Sequence, residues 1–262
     1  MKRRNFIKAA GALSLATAAN VATAAQAQTQ TQAHSPKEIY EWRIYTLTGD
    51  VERLDTFLQN VLIPAYNRRN VQAGAFKPYN PADGESEQRH ILFIHPNIEA
   101  YLKTKQSIWE DKDFRAQSEG FYSATAPDPV YSNFETHLSE AFDKIPIHRT
   151  PDSERTLFEM RIYHSPNEEA NKRKVKMFNK DEIDLFDKVA INSVMYGDIL
   201  AGPRMPALMY LTCYKDEETR SAAWDKFRNH PDWKRMSALP EYKHTATNNK
   251  SILLSPMPYS QI

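Results

Sequence analysis

Two short runs carry the same chemically capable residues at the same spacing. Glu41, Arg43 and Tyr45 alternate with Tyr40, Trp42 and Ile44, and Glu159, Arg161 and Tyr163 alternate with Phe158, Met160 and Ile162. In an extended strand, residues two apart share a face, so each run presents a Glu-Arg-Tyr row on one side and an apolar row on the other. Such a row supports two chemistries. The guanidinium can anchor an anion while the phenol donates a hydrogen bond or a proton. Alternatively, the three groups satisfy one another as a structural network, since buried charge is costly unless paired. The apolar rows are expected to pack on helices, which would send both Glu-Arg-Tyr rows toward the open sheet face.

Other residue types offer less. His90 and His95 sit five apart on one strand pattern and face opposite ways, so they cannot chelate together. No H-E-x-x-H, H-x-H or C-x-x-C framework occurs, which argues against a dedicated metal site. Gly-rich phosphate loops and G-x-S-x-G are absent from a chain with seven glycines. The single cysteine, Cys213, excludes an intramolecular disulfide and lies in the apolar run LMYLTCYK, where a small core residue is expected. His230, within NHPDW, is expected in a turn with Trp233 packed as an anchor. No catalytic set and no cofactor is assigned.

The elements that position these rows repeat. YEWRIYTL reads as a strand, and Thr48-Gly49-Asp50 as a turn in which Asp50 caps an amphipathic helix of Leu54, Phe57, Leu58, Val61 and Leu62. Pro64 is expected to kink that helix or end its first part. VQAGAFKPYN and RHILFIHP follow as strands. A helix comes next, with Ile98, Tyr101, Leu102 and Ile108 on its inner face, and then the strand PVYSNFETHL. The second half has the same order: TLFEMRIYHS, a helix from Lys174 to Val189, NSVMYGDIL, ALMYLTCYKD, a helix from EETRSAAW and the strand SILLSPM. The expected class is α+β, two tandem ferredoxin-like repeats with antiparallel sheets, over 38–142 and 156–259 with a Pro-rich connector at 143–155. Two such sheets can meet through their open faces as a barrel enclosing a cavity.

The first 27 residues contain Lys2, Arg3, Arg4 and Lys8 but no acid, followed by an Ala/Leu run with small-x-small sites. This pattern is an export signal, and Arg3-Arg4-Asn5-Phe6-Ile7 resembles the twin-arginine type, implying a periplasmic or otherwise exported protein. Residues 28–37 read as a flexible linker. With those four bases removed from 34, the rest carries 30 Lys+Arg against 33 acids. That balance speaks against nucleic acid as a partner. The apolar run is too short and interrupted for a membrane span in the mature form.

Taken together, YEWRIYTLTGD with its helix, the echo FEMRIY, the segment HPDWKRM and the terminal ILLSPMPYS resemble the NIPSNAP family of the dimeric α/β-barrel group. The resemblance implies the fold and no agreed catalytic residues. It supports three functional expectations. The first is a protein binding a small organic or anionic ligand, or a partner, in a sheet-lined cavity through Glu41, Arg43, Tyr45, Glu159, Arg161 and Tyr163. The second is an enzyme of the group, namely a cofactor-independent oxygenase or isomerase, or a haem-dependent dehydratase using His95 or His164. The third is a structural or interaction module; a homo-oligomer is compatible with each.

Overall fold

The first strand of each repeat lies at the centre of its own sheet, hydrogen-bonded on both sides. A computed structural model describes residues 36–123 and 128–262; the export segment 1–27 and residues 28–35 of the linker lie outside the described residues. β1 (Ile39–Leu47) pairs with β3 (Gln88–His95) and β4 (Tyr131–Ala141), and β3 also pairs with β2 (Gln72–Pro78). β5 (Leu157–His164) stands likewise between β7 (Ala207–Tyr214) and β8 (Asn248–Pro256), with β6 (Asn192–Ala201) beyond β7. Each repeat is therefore a split β-α-β unit. The units join antiparallel through β2–β8 and β4–β6, closing the barrel β1-β3-β2-β8-β5-β7-β6-β4. Closure removes the unpaired edges that each four-stranded sheet would otherwise present. The α+β class and the two ferredoxin-like repeats are as expected.

Helices cover the outside. The first is α1 (Val51–Phe57), a π-helical segment (Leu58–Leu62) and α2 (Ile63–Asn67), with the Asp50 side chain accepting from the Arg53 amide. Its counterpart is α5 (Glu168–Met177), a π segment (Phe178–Glu182) and α6 (Ile183–Lys188), capped by Asn167. Capping by Asn167 starts this helix at Glu168, so Lys174 lies inside it rather than at its beginning. Pro64 falls in the first turn of α2 and the helix runs on. The second repeat keeps its π segment with Asp184 in the corresponding place, so the proline is not its cause. The other helices are α3 (Ile98–Ser107) and α4 (Lys112–Tyr122), answered by α7 (Glu217–Asn229) and α8 (Pro231–Ser237). Leu102 is exposed, not on the inner face expected for it.

The two faces of β1 and β5 are the reverse of the expectation. Tyr40, Trp42, Ile44, Phe158, Met160 and Ile162 fill the barrel, in one cluster with Phe76, Leu92, Leu211 and Leu254. Trp42 stacks on Phe76 at 5.8 Å between centroids, and Phe76 meets Phe158 at 4.9 Å. The Glu-Arg-Tyr rows point outward beneath the helices. An eight-stranded barrel has an interior just wide enough for side chains. No helix can enter it to pair a carboxylate, so the apolar row goes in and the charged row goes where helices bring partners. The enclosed space is thus a packed core, and Cys213 is part of it, its thiol pushed up to about 12 by burial.

One end of that interior is polar. Trp42 Nε1 donates to His90 Nδ1 at 3.3 Å, so this nitrogen must be unprotonated, while Nε2 faces Gln88 Oε1 at 3.2 Å. Burial, with Lys250 and His137 nearby, lowers the His90 pKa to about 3; burial, Lys250 and His164 lower that of His137 to about 4. Both imidazoles are neutral in the fold but become cationic in the unfolded chain below about pH 6.5. Their contribution is therefore intact above that pH and is lost as pH falls toward 4. From pH 7.5 to 5 we expect a loss of about 2 kcal/mol for each histidine, read by urea unfolding. A His90→Gln variant that loses as much stability over this range as the parent would refute the assignment to His90.

Candidate functional site

In the first repeat the outward row closes on itself. Glu41, 1% exposed, accepts from Arg43 Nε at 2.9 Å and from Lys105 of α3 at 3.1 Å, with His95 Nε2 at 3.3 Å. Arg43 gives its remaining groups to the Tyr45 hydroxyl at 3.2 Å and to the Tyr66 hydroxyl of α2, and its guanidinium lies 4.8 Å from the Phe93 ring centroid. Burial alone would raise the Glu41 pKa; Arg43, His95 and Lys105 outweigh it and hold the carboxyl well below the usual carboxylate range. Every guanidinium nitrogen of Arg43 has a protein partner. This arrangement is a seam between sheet and helices.

The second repeat starts from the same row and ends differently. Glu159 is fully buried and receives both Arg220 Nε at 2.8 Å and Nη2 at 2.7 Å from α7, the bidentate geometry of a strong pair. It also accepts from Arg161 at 3.0 Å, Trp224 Nε1 at 2.8 Å and Ser251 Oγ at 2.6 Å. Burial again opposes ionisation, and Arg220, Arg161 and Ser251 keep the pKa lowered. Among the described residues Arg161 donates to no tyrosine hydroxyl. The Tyr163 hydroxyl is engaged with Tyr210 at 2.7 Å, and the helix position held by Tyr66 in the first repeat is Phe186, which has no hydroxyl. Arg161 reaches Glu159 through Nη1, where Arg43 reaches Glu41 through Nε; Arg161 Nε is therefore buried with no hydrogen-bond partner among the described residues, and its guanidinium lies 4.4 Å from the Trp224 ring centroid.

Beside Arg161 lies a cavity of about 460 Å³. Its walls include Tyr163, Lys174, Glu182, Arg220, Trp224 and Trp233, and Tyr242 and His244 also line it. Lys174 and Glu182 form a buried ion pair at 2.8 Å, and Arg228 pairs with Asp225 on the rim. Glu159 answers both Arg161 and Arg220, so the wall holds one positive charge more than its carboxylates neutralise. Of the six expected site residues, only Arg161 and Tyr163 line this cavity, with Glu159 behind them; Glu41, Arg43 and Tyr45 are in the first-repeat network. Arg220, Trp224, Lys174 and Trp233 were not singled out as site residues. Aligning the two repeats residue by residue would have marked Lys174, which stands where the first has Leu54. His95 and His164 are both buried and neither lines the cavity, so neither can hold a haem there. His230 caps α8 and Trp233 packs on Phe227 at 4.5 Å, as expected.

The family comparison falls on this half of the chain. The NIPSNAP family model matches residues 158–261, nearly the whole of the second repeat. No curated protein matches the chain. Among solved structures, a candidate monooxygenase from Fusobacterium nucleatum is 11% identical with a TM-score of 0.53, covering 84% of this chain and 92% of that one. Another, from Lactobacillus acidophilus, is 12% identical with a TM-score of 0.52, covering 84% and 94%. An uncharacterized NIPSNAP-like domain protein from Burkholderia xenovorans, 20% identical with a TM-score of 0.38, covers 41% of this chain and 90% of its own. At these identities the first two share the barrel fold with this chain. Among the described residues no helix is long and apolar enough to cross a membrane.

Removing the carboxylate that both second-repeat arginines share should be severe. Glu159→Ala is expected to cost about 3–5 kcal/mol, the range for breaking a buried pair, whereas Ser251→Ala should cost about 1–2 kcal/mol. Chemical unfolding of both variants measures the difference, and equal effects would contradict the central placement of Glu159.

Proposed function

We propose that this protein binds a small aromatic monoanion, a carboxylate above all, in the outer cavity of its second repeat. The observation that carries this reading is the Arg161 guanidinium, whose Nη1 alone has a hydrogen-bond partner among the described residues, at the wall of a cavity that holds one surplus positive charge. An incoming carboxylate would pair with Nη2, and a hydrogen bond between two charged groups is roughly twice as strong as a neutral one. Trp224, Trp233 and Tyr163 supply flat apolar walls for a ring, and a cavity of about 460 Å³ is of ordinary ligand size. The candidate monooxygenases share the fold alone, and no reaction is carried over from them. We also propose export of the mature protein by the twin-arginine-type signal at its N-terminus.

Isothermal titration calorimetry with benzoate tests the site. Arg161→Met should weaken binding at least tenfold and, because Arg220, Trp224 and Ser251 still hold Glu159, lower stability by only about 1–2 kcal/mol. Arg43→Met should do the reverse, lowering stability by about 2–4 kcal/mol and leaving benzoate affinity intact. If the parent protein does not bind benzoate, or Arg161→Met binds it equally well, the reading is wrong.

A further inference from the structure

The Lys174–Glu182 pair has no counterpart in the first repeat. Lys174 stands three residues before the end of α5, and Glu182 closes the π segment; the same positions in the first repeat are Leu54 and Leu62, both buried. The frame therefore accommodates two leucines there. Replacing a buried ion pair by hydrophobic residues of similar volume is often neutral or stabilising. Stability alone gives no reason for charge at this place, yet both charged residues line the cavity.

Their hydrogen bonding is also incomplete. The Lys174 ammonium donates to Glu182 Oε2 at 2.8 Å and contacts Met177 Sδ at 3.6 Å, so one of its three hydrogens has no partner among the described residues. Glu182 receives Lys174 through Oε2, and its Oε1 takes no hydrogen bond among the described residues. The ammonium sits within 4.6 Å of the Phe178 ring centroid and 5.6 Å of that of Tyr163, while Arg161 lies 5.5 Å from the same Tyr163 ring. A ligand anchored at Arg161 along Tyr163 thus extends toward a group that can donate through nitrogen and accept through oxygen.

From this geometry we infer that Lys174 and Glu182 are specificity residues that read a hydroxyl group on the ligand, so that the preferred class is a hydroxyaryl carboxylate. A hydroxyl both accepts from the ammonium and donates to the carboxylate; an ether oxygen can only accept. The inference rests on the aromatic-anion reading above.

Calorimetry with benzoate, 3- and 4-hydroxybenzoate and the matching methoxybenzoates separates the two. The parent protein should bind one hydroxybenzoate at least tenfold more tightly than benzoate, without that gain for its methoxy analogue. The double variant Lys174→Leu/Glu182→Leu restores the first repeat's pair. It should keep stability and lose the tenfold preference, read as the ratio of hydroxybenzoate to benzoate affinity within the variant itself. Should that variant fail to fold, Glu182→Gln keeps an acceptor for Lys174 but turns its second group into a donor, and must reduce the preference at least threefold. Benzoate binding without a hydroxyl preference, or a preference that survives these substitutions, overturns the inference alone. No binding of any probe overturns both it and the aromatic-anion reading.

Discussion

A carboxylate with almost no access to water, placed on the central strand of a sheet, constrains everything around it. Glu159 is held ionised only because α7 delivers Arg220 and Trp224, β8 delivers Ser251, and its own strand delivers Arg161. Glu41 imposes the same demand and is answered by Arg43, Lys105 and His95. Burial of a lone charge is prohibitive, so the helices must dock where these donors reach the strand. The side of the strand left over is apolar, and it can only face inward. The orientation of both sheets, the packed barrel interior and the register of α3 and α7 follow from this requirement.

Within that shared frame the repeats differ around the outward row, and the differences decide which partners its arginine and carboxylate find. Tyr66 becomes Phe186, which removes one acceptor; the Tyr163 hydroxyl turns to Tyr210, which removes another. Tyr101, four residues beyond the Asn97 cap, corresponds to Arg220, four beyond Asp216, and packs on His95 without a hydrogen bond to Glu41 among the described residues; Lys105 corresponds to Trp224. The first repeat thus spends its polar groups on one another. The second leaves Arg161 short of partners beside a cavity. Duplication preserves the stabilising carboxylate in both halves and opens the surroundings of the arginine in one.

Much of this architecture is written in periodicity. The alternation in YEWRIY and FEMRIY, the Asp50 cap and the repeated element order determine strands, helices and fold class, because these depend on local patterns. Which face of β1 turns inward does not, since both faces are buried and only the helix donors distinguish them. Lys105 and Arg220 lie 64 and 61 residues from the carboxylates they serve, beyond the reach of strand alternation. The site was half legible for the same reason. Arg161, Tyr163 and Glu159 share one strand, whereas the cavity exists because α5, α7 and α8 fail to fill the space over them.

The packed barrel also explains why a precise site can sit outside it. Arg161 is on the middle strand of its repeat, directly opposite Tyr210 on β7 and Ser251 on β8, with Met160 and Ile162 anchored in the core beneath. Sites carried on such strands hold their geometry better than sites carried on loops. An empty barrel would have left this strand free to flex and would have competed for the same apolar ligands. Filling the interior removes that competitor and backs the guanidinium with a close-packed layer. The helix side then varies without disturbing closure, which is how one repeat acquires a cavity beside its arginine while the arginine of its twin keeps a partner for every nitrogen.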